Sequence, residues 1–347
     1  MQRRTSVVCE LQADAIGKWA RTSNGFRRAR ASKVPGRSPV ADPRSVAHLR
    51  RIATRSPTVK DVVYLPTSGS RDCTGRFGVM TTAYSIKGGR AGRERLRVLN
   101  NIRQRGTLDF LDGIGVRPGM SCLDVGCGGG DVAREFARRI GVTGQVLGLD
   151  MDQAQLTIGC DEAAAHNVQT IRYRWADITN PPNDIGSFDI VYTRFLLCHL
   201  PRPSKTLSWM VERLKPGGVL AVEDVDFSGF FCHPPLPAFN RYVELCAEVM
   251  RRRGGDPDIG LKLPALIVGA GVTIGGVGVT HPADLAGDVK LFSALSMEAI
   301  ADAIVAESLA TRDQVDQLIA ALHENARDAT SFASDARAIQ VWGRLAS

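Results

Sequence analysis

The sequence has no uninterrupted apolar stretch long enough to cross a bilayer as a helix. Its most apolar window, Leu263 to Val279, is broken by Gly269, Gly271, Gly275, Gly276 and Gly278. That interruption predicts a helix end, a turn and a strand instead of a membrane span. None of the eight cysteines forms a C-x-x-C pair, and none clusters with histidine at metal-ligand spacing. No metal site is therefore expected, and a reduced, cytoplasmic compartment is the simplest reading. The third scarcity is local: residues 1–79 hold 16 Lys or Arg against 5 Asp or Glu, whereas the remaining 268 residues hold 28 against 31. The whole net charge of +8 thus originates in the N-terminal segment. That segment has no sustained apolar periodicity, and prolines and serines are scattered through it (Pro35, Ser38, Pro39, Pro43, Ser56, Pro57). It is expected to be disordered and to contribute nothing to the fold, with Met80 as the functional start. A nucleic-acid-binding arm and an organelle-type transit peptide are the alternatives for it.

What is present is concentrated between Ser121 and Asp152. A short apolar run, Cys122, Leu123 and Val125 around a single Asp124, reads as a buried strand. Small residues follow (Gly126, Cys127, Gly128, Gly129, Gly130), and a helix opens at Asp131 with Val132, Ala133, Phe136, Ala137 and Ile140 at helical spacing. A second strand, Gln145 to Leu149, ends in Asp150. This βαβ unit has the form of a nucleotide-type site, where ligand meets backbone at a strand end. A dinucleotide fingerprint would require glycine at position 131, and Asp131 stands there instead. No Lys-Ser or Lys-Thr follows the turn, which excludes a P-loop.

The run Leu123-Asp124-Val125-Gly126-Cys127-Gly128-Gly129-Gly130, with the acidic strand end at Asp150, resembles the first two motifs of the class I S-adenosylmethionine-dependent methyltransferases. Lys215-Pro216-Gly217-Gly218, a turn ahead of a strand at Val219 to Val222, is a second mark of that family. The resemblance covers residues 84–225 most clearly and is similar to the bacterial small-molecule enzymes of ubiquinone and menaquinone biosynthesis. It implies an α/β, Rossmann-like sheet of seven strands with the last antiparallel, a helical N-terminal lid and a helical cap insertion. The implied cofactor is S-adenosyl-L-methionine, which carries no phosphate. The corresponding domain would run over 80–347, with its core at 118–225, an acceptor and cap region at 226–330 and a last strand at 338–342.

Residue roles follow from the resemblance. Gly126, Gly128 and Gly130 would allow close approach, and Asp124 would orient the loop amides or the cofactor's ammonium group. Asp150 would accept from both ribose hydroxyls, with a helix N-cap as the alternative. Asp177 would accept from the adenine amino group, with Met151 and Ile178 against the ring; it too could be an N-cap. Arg194, ending the fourth strand, is assigned to the same site. Tyr84 and Arg93 sit where a lid could touch the carboxylate or ribose. Leu96, Leu99 and Ile102, then Leu108, Phe110, Leu111 and Ile114, predict two helices ahead of the first strand.

The acceptor side is expected beyond the fifth strand. Glu223, Asp224 and Asp226 with Phe227, Phe230 and Phe231 fall at a carboxyl strand edge and predict an apolar pocket with one or two acids. His199, Glu223 and His233 are the candidate catalytic groups. Helices at 285–306 and 311–325 would cap the site before the last strand. Asn180-Pro181-Pro182-Asn183 precedes the fourth strand and lacks a final aromatic, unlike the motif of base-methylating enzymes, so it reads as a loop breaker. The expected partner is a small-molecule methyl acceptor, with nucleic acid disfavoured and oligomeric state open. Two other functions remain compatible: a nicotinamide-dependent oxidoreductase, disfavoured by Asp131, and a non-catalytic cofactor-binding module with a nucleic-acid-binding basic arm.

Overall fold

The computed structural model describes residues 89–345. The basic segment 1–79, the start at Met80 and Tyr84 lie outside the described residues. The described chain runs α1 (Gly89–Gly113), β1 (Ser121–Val125), α2 (Asp131–Ile140), β2 (Gln145–Asp150), α3 (Gln153–Ala165), β3 (Ile171–Trp175), β4 (Phe188–Arg194), α4 (Pro203–Glu212) and β5 (Leu214–Asp226). It continues with β6 (Cys232–His233), α5 (Pro237–Arg252), α6 (Leu263–Gly269), β7 (Val272–Thr280), β8 (Ala283–Asp284), α7 (Asp288–Ala306), α8 (Arg312–Arg327), β9 (Phe332–Ser334) and β10 (Arg337–Leu345).

Seven strands form one sheet in the order β3-β2-β1-β4-β5-β10-β7. Strands β1 to β5 pair in parallel, and β10 inserts antiparallel between β5 and β7. The fold is therefore the Rossmann-like α/β arrangement anticipated, last strand included. All five residues of β1 are buried because helices cover both faces of a central parallel strand. One face packs Phe110 and Leu111 of α1 and Ile114 just beyond it with Phe136 and Ile140 of α2; the other packs Leu207 and Met210 of α4 with Leu263 and Ile267 of α6. The chain order reverses between β1 and β4, so the carboxyl ends of β1, β2 and β4 open a crevice of the kind where ligands bind in such sheets.

The predicted pair of helices before β1 is one continuous helix, α1, since no proline or capping turn interrupts it. Its buried positions Arg95, Val98, Arg103, Thr107, Phe110 and Leu111 form one stripe, which places two arginines among its apolar residues. The Lys-Pro-Gly-Gly turn is absorbed into β5, where Gly217 takes φ 73° and the register with β4 shifts. The window 263–279 does resolve into helix α6, a turn and strand β7.

The two cap helices fall between β7 and β10 as expected, and α5 joins them. Phe239, Tyr242, Leu245 and Val249 of α5 form one core with Met297, Ile300 and Ile304 of α7 and Val315 and Leu322 of α8. A small antiparallel sheet, β6-β9-β8, that the sequence did not suggest ties the cap to the strand that follows. Lys290 fastens this corner: its buried ammonium donates to the carbonyls of Leu285, Asp328 and Ser331 and to Ser331 Oγ at 2.6 Å. Four oxygen acceptors offset the cost of burying that cation. Among the described residues no helix is long and apolar enough to cross a membrane.

Candidate functional site

The crevice deepens into one cavity of about 790 Å³, within the range of small-molecule sites. It has two ends of different construction. Backbone and carboxylates at the strand ends build the first; side chains from α1, α5, α7 and the loop after β5 build the second.

At the strand end the chain turns sharply after Val125. Gly126, Gly128 and Gly130 all have positive φ, so the turn's backbone alone requires glycine-like conformations at alternate positions. Gly126, Cys127, Gly128 and Gly129 line the cavity, while Gly130 does not. A Cβ at Gly130 would lie 2.0 Å from Tyr173 Oη. Its missing side chain is thus filled by Tyr173, and the assignment of Gly130 as a cofactor contact is corrected to a packing role beneath the turn.

Asp150 holds the turn in shape: Oδ2 accepts from the Gly128 amide at 2.7 Å and Oδ1 from the Asp152 amide at 2.9 Å. The N-cap of α3 is Asp152, whose side chain accepts from Ala154 and Gln155, so Asp150 is not a cap. It faces the cavity, and burial raises its carboxyl pKa. Asp177 also lines the cavity; no helix follows it, and it accepts from the amide and hydroxyl of Thr179 in an Asx turn. Met151 and Ile178 line the same wall. The strand carboxylate Asp124 is buried, and its Oδ2 has no hydrogen-bond partner. Burial pushes its pKa up to about 7, an effect partly opposed by Arg194. Arg194 donates to Thr107 Oγ1 and Asn100 Oδ1, which fixes its guanidinium beside the turn.

Asp131 does not point a free charge at the helix start, because Arg93 and Arg134 pair with it and Glu162 joins the cluster. Arg93 is consumed there, bracing α1 against α2 and α3, and it is not among the cavity-lining residues. Asp124, Asp150, Asp152 and Asp177 nonetheless leave this end acidic, with Arg194 as its one cation among the described residues. That polarity suits a cationic ligand and opposes a pyrophosphate. The orphaned Asp124 oxygen and the glycine-rich turn both fit S-adenosylmethionine, a sulfonium bearing an ammonium group and no phosphate.

The candidate catalytic groups separate. His199 lines the cavity, and burial together with Arg95 lowers its pKa to about 4, so the imidazole is neutral near pH 7. Glu223 does not line it: Tyr192 donates to Oε1 at 2.5 Å, and Thr107 and Gln340 donate to Oε2 at 3.2 and 2.7 Å. Those bonds make Glu223 a buried fastener between β4, β5, β10 and α1, which corrects its catalytic assignment. His233 is also corrected, for it sits exposed on β6, paired with Phe332, away from the cavity.

The aromatic residues expected on the acceptor side do not all face the cavity. Phe227 and Phe230 line the cavity, but Phe231 turns outward against His281 and Phe332. Successive side chains on an extended segment point to opposite sides, and Phe231 is the outward one. Asp224 and Asp226 are engaged elsewhere: Asp224 accepts from the Cys198 and Val225 amides, and Asp226 pairs with Arg337. The acid that does face this end is Asp335, paired with Arg103 at 2.5 Å. Sequence reasoning missed Arg95, Arg103, Tyr242, Phe292 and Asp335. Only the two arginines carried a signal, since they interrupt the apolar stripe of α1.

A family model described as a methyltransferase domain matches residues 122–218. The ubiquinone/menaquinone biosynthesis C-methyltransferase of Laribacter hongkongensis is 31% identical over 182 residues, covering 49% of this chain and 73% of that protein. The protein of the same description from Idiomarina loihiensis is 37% identical over 115 residues, 33% of this chain and 46% of its own length. A ubiquinone biosynthesis O-methyltransferase of Acinetobacter baumannii is 39% identical over 101 residues, 29% and 41% of the two chains. The matched region thus spans less than half the length of two of these three relatives. Among solved structures, a Bacillus halodurans protein described as a methyltransferase superposes with a TM-score of 0.50 at 17% identity, over 70% of this chain and all of that one. That likeness concerns the fold.

Proposed function

We propose, from the premise that the chain belongs to the class I S-adenosylmethionine-dependent methyltransferases, that it transfers a methyl group from that cofactor to a small-molecule acceptor held beneath the helical cap. One observation carries the reading: the glycine turn and the aromatic wall of Phe227, Phe230 and Phe292 line a single continuous cavity. The cofactor supplies a methyl group on a good leaving group. The chain's own contribution is therefore chiefly to orient the two reactants and exclude water, and orientation is worth up to about 7 to 11 kcal/mol.

Each residue's part follows from its position. Asp124 offers its unpartnered oxygen to the cofactor's ammonium group, and Asp150 and Asp177 face the nucleoside along the wall shared with Met151 and Ile178. Arg194 stands beside Asp124, where it can pair with the cofactor's carboxylate. His199, neutral and in the cavity, is the candidate left to accept a proton from a protonated nucleophile such as a phenol or thiol. A polynucleotide acceptor fits less well than a small molecule, because the apolar chamber lies under α5 and α7. The ubiquinone-biosynthesis C- and O-methyltransferases among the relatives support a quinone-related small molecule as the acceptor. The six described cysteines are all free thiols, which suits a cytoplasmic enzyme. Residues 1–79 are proposed to be dispensable for this activity.

The test is transfer of label from methyl-labelled S-adenosylmethionine to a panel of small aromatic acceptors, run beside DNA and RNA. Label in a small molecule supports the reading. Label only in nucleic acid, or retention of a nicotinamide nucleotide in place of S-adenosylmethionine, overturns it.

A further inference from the structure

We infer that the acceptor carries a single negative charge, a carboxylate on an apolar or aromatic body, and that Arg95 is the residue that receives it. The inference rests on the methyltransferase reading and specifies the acceptor end of that site.

Arg95 and Arg103 project from the same face of α1, eight residues apart, and both line the cavity although each is more than nine-tenths buried. Burying a guanidinium is costly unless acceptors surround it. Arg103 has some: it donates to Asp335 Oδ2 at 2.5 Å and to the Ala336 carbonyl at 2.7 Å, yet its Nε and Nη1 are buried without a partner. Arg95 has fewer. Its Nε is buried without a partner, no carboxylate pairs with it among the described residues, and its one described contact is the ring of Phe292, 5.6 Å from the guanidinium carbon.

Among the described residues this end holds two arginines against Asp335, a surplus of one positive charge. The cofactor does not account for it. The cofactor's charged end belongs with Asp124 and Arg194 at the glycine turn, whereas Arg95 lies against Phe292 of α7 in the cap. A monoanion offsets the surplus, and a phosphate dianion would exceed it. The planar fork of Arg95 matches the two oxygens of a carboxylate. Phe230 and Tyr242, in edge contact with each other, would pack the rest of the acceptor.

Full-length protein saturated with S-adenosylhomocysteine is titrated calorimetrically with 2-naphthoate and with 2-naphthamide, which share ring and outline but differ in charge. The expected result is at least tenfold tighter binding of the naphthoate. Arg95→Gln brings the two dissociation constants within about twofold of each other while S-adenosylhomocysteine affinity stays within twofold of the wild type. Arg95→Lys, which keeps the charge without the fork, retains a preference reduced several-fold. Equal binding of both probes, or binding of neither by a protein that holds S-adenosylhomocysteine normally, overturns the inference and leaves the methyltransferase reading standing. A tenfold loss of S-adenosylhomocysteine affinity in Arg95→Gln also overturns it, since Arg95 would then serve the cofactor. Failure of the wild type to bind S-adenosylhomocysteine at all is instead a failure of the methyltransferase reading.

Discussion

The two ends of the cavity are built from different materials. The strand end is made of backbone: one turn of left-handed glycine conformations, pinned by Asp150 through the Gly128 amide. Nearly all of its polar groups come from four neighbouring strand termini. The cap end is made of side chains that meet only after α1, α5, α7 and the segment before β10 have packed. One pair of its charges, Arg103 with Asp335, is joined across the chain, and Arg95 has no carboxylate partner among the described residues. A site of the first kind is fixed once the sheet forms. A site of the second kind depends on tertiary packing and on which charges find partners.

The sharpest way to break the strand end is through its backbone. Gly130 has φ 76°, and a Cβ there would overlap Tyr173. A β-branched residue costs about 1 to 2 kcal/mol in that conformation before the tyrosine is displaced. Gly130→Val is therefore expected to lower S-adenosylhomocysteine affinity at least a hundredfold, or to prevent folding, as read by calorimetry and circular dichroism. Wild-type affinity in a folded variant would show that the turn tolerates side chains.

The cap end should break through its charges instead. Asp335→Ala leaves Arg103 buried with the Ala336 carbonyl as its remaining described acceptor. Removing one partner of a buried pair typically costs roughly 3 to 5 kcal/mol. Chemical denaturation should show a loss of that order. A change below about 1 kcal/mol would mean that solvent or relaxation compensates the arginine, and the contrast between the two ends would weaken.

The same contrast explains what could be read from the sequence. The placement of the glycine turn, Asp124, Asp150 and Arg194 along one cavity was legible because a local run of residues dictates a local conformation, and strand ends in a parallel sheet fall on one edge by topology. Gly130 was assigned to the ligand because spacing shows that a side chain is excluded without showing what excludes it; Tyr173, on β3, does. Glu223 and Phe231 were misplaced for a related reason. Each lies where the strand edge meets the cap, and which way it faces depends on β10 and β9, more than a hundred residues further along the chain. Arg95 and Arg103 were visible as polar interruptions of an apolar stripe, but their partners come from α7 and Asp335.

A smaller effect tests whether Asp150 serves the ligand as well as the turn. Its oxygens accept from the Gly128 and Asp152 amides, and the residue lines the cavity. Charge-assisted bonds contribute about 1.5 to 3 kcal/mol each. Asp150→Ala should weaken S-adenosylhomocysteine binding by at least tenfold, with the melting temperature reporting separately on the turn. If only the melting temperature falls, Asp150 is structural.

The smallest effect is the most specific to Asp124. In the ligand-free fold its carboxyl titrates near 7 because it is buried with one oxygen unpartnered, against about 3.9 in an unfolded chain. With the folded pKa raised, the stability it contributes is present below about 3.9 and is lost as pH rises through about 7. A cationic ligand reverses the preference, because the ammonium and sulfonium charges of the cofactor favour the ionised form. Affinity for S-adenosylmethionine should therefore decline as pH falls through 7, by roughly tenfold between pH 8 and pH 6. His199, held near 4, does not titrate in that window. Asp124→Asn should flatten the profile and raise the ligand-free melting temperature at pH 8, where the wild type carries a buried charge. A wild-type affinity that is flat from pH 8 to 6 would remove Asp124 from contact with the cofactor's charge and leave Asp150 and Asp177 to hold it.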